Sequence, residues 1–335
     1  MVSVVSVASH AGVSPATVSR VLAGRVPVAT ETRARVLKAI EQLGYRPNEV
    51  ARSLRVGRGR AVALVTGDIE QGIYATLAKH VQGELEALGL DLVLFNLGHR
   101  QDRLRHFLER APSLGLRGIL LSSPHVMDMD ELAPVMRAAN KSGIDILSVS
   151  QDLSSFGFPS IVHDDAGGAA LATAHLLAKR RTPIAFVGRI ATSAVGRTRF
   201  EGYRKALKAR GHELDQSLVW DISQGYRADA GYQAMSDALT ERLRFRAVVA
   251  ASDELALGCM AAATDHGLAI PGDMAVVGFG GLAWIGFARP GLSTVALDAG
   301  AIARAVGDFF KAREDGGRPG KRRVIPANLV LRQSA

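Results

Sequence analysis

Residues 14–20, SPATVSR, carry the side chains best placed for chemistry with another molecule. Ser14 followed by Pro15 has the form of a helix N-cap with proline at the first helical position. Helical periodicity then turns Val18, Val21 and Leu22 inward and leaves Pro15, Ala16, Ser19 and Arg20 outside. A helix with so small an outer face can lie deep in a DNA major groove, where a guanidinium reads guanine O6 and N7 in bidentate fashion. Thr17 and Ser19 suit phosphate oxygens. The plainer alternative for Arg20 is a solvated helix arginine.

Other constellations are weaker. GFGGLA at 278–283 fits G-x-G-x-x-A after an apolar run, nominally a dinucleotide fingerprint, but Pro290 arrives before a long helix can follow. Gly320-Lys321-Arg322 lacks the hydroxyl residue and upstream glycine of a phosphate loop, and HExxH and GxSxG do not occur. His106, His125, His175, His212 and His266 read as surface or helix residues. Cys259 is the single cysteine, which excludes an intramolecular disulfide, and no Cys/His cluster has zinc-ligand spacing. No catalytic residue, metal or cofactor is expected, and a reducing compartment is.

The elements that must hold SPATVSR form a basic head. Residues 1–60 contain ten Lys/Arg and three Asp/Glu, against 31 and 29 in the rest of the 335-residue chain. A basic segment on a near-neutral body is the footprint of a polyanion-binding module attached to something with a different task, the alternative being a solvated basic tail. In the head, Val4, Val7 and Ala8 share a helical face and Gly12 permits a tight turn. A third helix is expected after Thr30, with Val36, Leu37, Ile40 and Leu43 inward and Gly44 as its cap. PNEVARSLR at 47–55 has Asn48 as an N-cap and an apolar edge of Val50, Ala51 and Leu54 beside Arg52 and Arg55. At about eight residues it is too short to hold alone and needs a cover over that edge. GRGR at 57–60 reads as a linker.

Beyond it, apolar runs of strand length at 61–65, 90–95, 118–123, 144–150, 183–188, 247–252 and 274–279 alternate with amphipathic helical stretches. That alternation makes the body α/β, with parallel sheets and helices on both faces. It divides into two similar series, and two such lobes enclose a cleft at the carboxyl ends of their strands, the default small-molecule site. The amino terminus has no basic n-region and no apolar run reaches about 18 residues, so a cytoplasmic protein without membrane segments is expected.

VASHAGVSPATVSRVLAG followed by VATETRARVLKAIEQLGYRPNEVARSLRVG resembles, almost residue for residue, the helix-turn-helix and hinge of the lactose repressor/galactose repressor (LacI/GalR) transcription regulators. The likeness extends over essentially the whole chain. It implies a helix-turn-helix domain at 1–46, a hinge helix and linker at 47–60, and a two-lobe periplasmic-binding-protein-like core at 61–335. Lobe one would be about 61–158 plus 293–325, and lobe two about 159–292 plus 326–335. Ser14, Pro15, Ala16, Thr17, Ser19 and Arg20 would contact DNA, as would Asn48, Ala51, Arg52, Ser53, Leu54 and Arg55 of the hinge. Leu54 matches the leucine that wedges into the minor groove when two hinges pair, where a lone sequence reading would make it a core leucine. The partner would be a pseudo-palindromic double-stranded operator bound by a homodimer. A tetramerising C-terminal bundle is not expected, because no leucine heptad follows the last strand.

The resemblance also maps effector positions. GDIEQGIYATL keeps Asp68 of the family's first-lobe loop and offers Tyr74 as a stacking wall. Arg199 in GRTRFEG matches an arginine that binds effector hydroxyl or carboxylate groups. Ser252 and Asp253 match an Asn/Ser-Asp pair at a strand end, Asp253 having a helix-capping alternative, and Ile222 is counted with them. Ser150 and Gly280 stand where sugar-binding members carry acids, and His163 where an aromatic ring lines the pocket. Two lost carboxylates beside a retained arginine suggest a positive cleft and an anionic carbohydrate. The expected function is an effector-controlled repressor responding to a sugar, sugar acid or sugar phosphate; the alternative is a solute-binding protein or enzyme on the same scaffold.

Overall fold

The computed structural model describes residues 3–23, 27–45, 59–98, 100–223 and 225–335. Its contacts divide the chain into one unit up to Gly59 and another from Arg60 onward.

In the first unit, the Ser3 hydroxyl accepts from the Ser6 amide at 3.2 Å and opens helix α1 (Val4–Ala11), which Gly12 closes at φ +63°. Ser14 Oγ accepts from the Thr17 amide at 3.2 Å and opens α2 (Pro15–Ala23). Helix α3 (Thr30–Leu43) ends at Gly44. Thr30 is itself helical, one residue earlier than expected, and its N-cap Ala29 has no side chain to offer. Val7, Ala8, Ala11, Val18, Val21, Val36, Ala39 and Tyr45 form the core. Leu37, expected inward, is 48 % exposed. Val36, Ala39, Ile40 and Leu43 already fill the inner face, and at 100° per residue position 37 falls outside it. A 3.0 Å contact between His10 Nε2 and Gln42 Oε1 pins α1 to α3. The expected hinge helix, with Asn48, Ala51, Arg52, Ser53, Leu54 and Arg55, lies outside the described residues.

The second unit holds two six-stranded sheets. The first contains β1 (Ala61–Thr66), β2 (Asp91–Asn96), β3 (Gly118–Ser122), β4 (Asp145–Ser148), β5 (Ser160–His163) and β11 (Arg322–Ile325). Their order is β11-β5-β4-β3-β1-β2, and every pair is parallel. Strand β1 shows why both faces are covered: Ala63 and Val65 pack with helices α5 (Gln101–Arg110) and α6 (Met129–Lys141), while Val62 and Leu64 pack with α4 (Gly72–Ala87) and α11 (Ala299–Glu314). Alternate side chains of one strand thus feed two separate cores. The edge strand β2 is less covered, with Leu94 50 % exposed.

The second sheet contains β6 (Ile184–Gly188), β7 (Val219–Asp221), β8 (Ala247–Ala250), β9 (Ala275–Gly280), β10 (Ser293–Leu297) and β12 (Ala327–Val330), ordered β12-β10-β9-β8-β6-β7. Only the β10/β12 pair is antiparallel. Helices α7 (Asp165–Ala178), α8 (Ala194–Ala209), α9 (Ala228–Thr240) and α10 (Asp253–Asp265) belong to this lobe.

The chain passes between the sheets three times, after β5, after β10 and after β11. Residues 293–297, expected in lobe one, form a second-sheet strand with Thr294 opposite Gly278. Residues 160–163, expected to open lobe two, pair with β4 and β11 in the first sheet. A short apolar strand carries no mark of which sheet will accept it, and register with its neighbours decides. Asp145, at the start of β4, pairs with Arg117 and, at 2.7 Å, with Arg313 of α11. Arg117 also lies over the Phe310 ring, so α11 is tied to the first sheet although the second lobe intervenes in sequence.

Candidate effector cleft and nucleic-acid-facing helix

In the head, Ser14, Pro15, Ala16 and Arg20 are exposed and Thr17 and Ser19 half-buried. Thr17 Oγ1 lies 2.9 Å from Ser14 Oγ, so the cap that starts α2 also fixes this hydroxyl. The result is a short helix with a low outer face and a single guanidinium near its end.

In the core, side chains from the carboxyl ends of both sheets line one cavity of about 860 Å³, open mouth included. Tyr74, Ser150, His163, Arg199, Ser252, Asp253 and Gly280 of the expected residues line it. Asp68 and Ile222 do not. Asp68 accepts from the Glu70 amide in the turn before α4. Ile222 follows β7, where its amide bonds the Gly188 carbonyl, and it lines a separate groove on lobe two with Trp220 and Asp221. One strand end beyond the cleft is enough to take a residue out of it.

Arg199 is nearly buried and already engaged. Its Nε donates to Asp165 Oδ1 at 2.7 Å, its Nη1 to the Ala251 carbonyl at 2.6 Å, and its guanidinium lies 3.9 Å above the Phe279 ring. Ser252 caps α10 by accepting from the Leu255 amide at 3.0 Å. The capping alternative weighed for Asp253 therefore belongs to its neighbour. Asp253 instead ties the turn after β9 to β10: Oδ2 accepts from the Leu282 amide at 2.9 Å and Oδ1 from the Thr294 hydroxyl. Burial pushes its carboxyl above the usual range despite those bonds. Gly280 has φ +140°, and a Cβ there would stand 3.0 Å from Asp253 Oδ2, so this backbone suits glycine and not the acid found in sugar-binding members. Ser150 donates to the Ser123 carbonyl at 2.9 Å. Burial pushes the Tyr74 hydroxyl up and holds it protonated.

Further lining residues include Gln71, Asp165, Tyr226 and Glu254. Asp165 follows Asp164, which caps α7 through the Gly167 amide at 2.9 Å. The Asp-Asp doublet was the available signal, since one carboxylate suffices for a cap. The lining therefore has one guanidinium and three carboxyls, and the expected positive field gives way to a compensated one.

The lobes meet around the cavity. Glu254 Oε1 accepts from the Gly72 amide at 3.0 Å, and burial raises its carboxyl. On another side, the Ala194 amide donates to the Pro124 carbonyl at 2.8 Å and Val126 to Thr192 at 3.2 Å. The Ser193 hydroxyl donates to the Pro124 carbonyl and accepts from Tyr226 at 2.9 Å. His125, expected at the surface, lies in this seam with Nε2 2.9 Å from Arg189.

The glycine-rich run at 278–283 ends β9 and leads into a single 3-10 segment at Ala283–Phe287. Cys259 is buried, its thiol pushed up to about 12, which makes it inert as a nucleophile. Among the described residues, no three His, Cys, Asp or Glu side chains converge as a metal site, and no helix is long and apolar enough to cross a membrane.

Residues 4–48 match the family described as bacterial regulatory proteins, lacI family, and residues 173–335 match the periplasmic binding protein-like domain. Catabolite control protein A of Priestia megaterium is 31 % identical over 308 residues, covering 90 % of each chain. Among solved structures, the transcriptional regulator CelR in complex with cellobiose is 29 % identical, with a TM-score of 0.72 and full coverage of both chains. The Lac repressor dimer bound to operator and an anti-inducer shares the fold, with a TM-score of 0.86 at 24 % identity over 99 % of this chain and 98 % of that one.

Proposed function

The chain belongs to the lacI family of bacterial regulatory proteins and is a DNA-binding transcriptional regulator with an effector-binding core; from that premise we propose that it is a cytoplasmic, homodimeric repressor gated from the inter-lobe cleft. The observation that carries this reading is the convergence of seven of the expected residues, from both lobes, on one cavity, in a chain whose head keeps a small-faced helix ending in exposed Arg20.

A single nine-residue α2 reads too few base pairs to define a site. Two copies related by a two-fold axis read two half-sites, and the operator mirrors that symmetry. Arg20 supplies guanine readout, Ser14, Thr17 and Ser19 position the helix on phosphates, and Pro15 and Ala16 permit the close approach. The hinge residues Asn48, Ala51, Arg52, Ser53, Leu54 and Arg55 complete the DNA contact in this reading. Occupancy of the operator blocks transcription. The effector acts because both lobes contact it: whatever changes the angle between them changes how two first lobes present their heads. CelR's complex with cellobiose supports a carbohydrate-sized effector here.

Selection of bound sequences from a random duplex pool tests the DNA arm. A pseudo-palindromic motif is expected, with Arg20→Ala relaxing preference at one guanine of each half-site. Retained binding without any enriched sequence would sink the proposal.

A further inference from the structure

Strands β8, β6 and β7 lie side by side in the second sheet, and the three segments that lead into them gather cations at one end of lobe two. Residues 179–183, 208–215 and 241–246 contain eight Lys/Arg and three Asp/Glu. Seven of the eight cations are exposed, and among the described residues none of these seven is ion-paired. The eighth, Arg181, is half-buried and donates to the Gly272 carbonyl at 2.7 Å. Of the acids, Asp215 is taken up by the Ser217 amide and hydroxyl, while Glu213 and Glu241 stand exposed among the cations.

The backbone shows that two of these charges are held at a cost. Four helices of this lobe end alike, with a left-handed residue two positions past the last helical one. After α8 and α10 it is Gly211 and Gly267, at φ +76° and +77°; after α7 and α9 it is Arg180 and Arg242, at +55° and +59°. Among the described residues these arginines are the only non-glycine residues with positive φ. An L side chain is disfavoured there, and glycine would close the helix without strain. Their two loops are joined, the Arg246 amide donating to the Pro183 carbonyl at 2.8 Å. Strain of one kind in two joined loops, each time for a guanidinium, marks a use for the charge itself. The helix dipole does not supply that use at Arg180, because Lys179 already stands at the carboxyl end of α7.

We infer that these segments form a second DNA-contact surface, which takes the phosphate backbone of a double-stranded molecule without reading its sequence. Six of the eight cations are arginines, whose planar fork suits phosphate oxygens. Leu214 and Leu243 are half-buried and Phe245 is buried, so the surface offers no exposed large apolar side chain of the kind that anchors a protein partner or enters a membrane. Helices reach it only by their carboxyl ends, so none lies across it to enter a groove, and base edges go unread. Both sheets turn their carboxyl ends toward the cleft, and their amino ends therefore point away from it on opposite sides. Arg60, where the chain enters the core, precedes β1 at the amino end of the first sheet. The surface lies at the other end of the core, and the duplex it takes is a second one, apart from the operator.

The test is a bridging assay on the full chain, with protein loaded on an immobilised mixed-sequence duplex, washed, and offered a second, labelled duplex at low salt. The wild type is expected to capture the labelled duplex. In the variant Arg180→Gly/Arg242→Gly/Arg244→Gln/Arg246→Gln, capture is expected to fall at least ~10-fold while the immobilised duplex stays bound through the head. Capture that persists in this variant, or a wild type that captures nothing, overturns the inference. Arg180→Gly/Arg242→Gly alone is expected to raise the Tm of the free protein, because glycine relieves the backbone, and this readout needs no DNA. A lowered Tm makes the two arginines structural and overturns the inference as well. Polyglutamate or phosphatidylserine vesicles captured in place of the labelled duplex would assign the surface to an acidic protein or a membrane, and so overturn it too.

Discussion

A buried carboxylate is tolerable when its oxygens are bonded, and Asp145 and Glu254 meet that condition in different ways. Asp145 is held between Arg117 and Arg313 and is almost wholly buried. Asp145→Ala strands the buried Arg117 charge and should cost ~3–5 kcal/mol in a urea titration. Glu254 accepts the Gly72 amide at its Oε1, and burial raises its pKa. The folded protein thus binds this proton more tightly than the unfolded chain, so stability falls as pH rises from the ordinary carboxylate range through the raised value. Glu254→Gln keeps an acceptor for Gly72 and removes the charge. It should match the wild type in Tm near pH 4 and exceed it above the raised value, and equal Tm values at pH 8 would refute the account. At this scale the sequence showed Arg199 and Asp253 as cleft residues through the family likeness, but not what holds them. Asp165 escaped notice because an acid at a helix start reads as a cap, and the surplus carboxylate is visible only once Arg199 is seen to need it.

Helix α8 begins at Ala194 because Ser193 makes its first turn possible. The Ser193 hydroxyl accepts from the Gly196 amide and the Tyr226 hydroxyl and donates to the Pro124 carbonyl. Ser193→Ala removes a helix cap and a link between the lobes at once. The expected loss is ~1–2 kcal/mol in chemical denaturation, and a change within ~0.3 kcal/mol would show that the cap is dispensable. Small residues with glycine, as in SAVG, carry too little apolar periodicity to announce a helix. Strands β5 and β7, SIVH and VWD, were missed because each carries too short an apolar run. The longer runs, such as 61–65 and 247–252, were legible because both faces of each strand are buried. LDLVLF was legible as a strand and misleading as to burial, since only its place at the sheet edge leaves Leu94 half exposed.

The whole molecule separates charge by task, with seven of its nine net positive charges in the first 60 residues. Operator affinity should therefore fall steeply with salt, log K declining by ~0.9 per neutralised phosphate for each decade of concentration. Effector-induced thermal stabilisation should stay nearly flat across the same range, because the cleft's charges are buried and mutually bonded. A DNA affinity insensitive to salt would remove the electrostatic role from the head. The two lobes were legible in the alternation of strand and helix, but their interleaving was not, because crossing points lie between strands that suit either sheet. That interleaving bears on synthesis. The first lobe emerges from the ribosome without α11 and β11, which cover one of its faces and one of its edges and are translated only after the second lobe is almost complete. A chain stopped after β10 would have its second sheet nearly whole and its first lobe open to proteases, so nonsense mutations late in the reading frame should damage the early-translated half first.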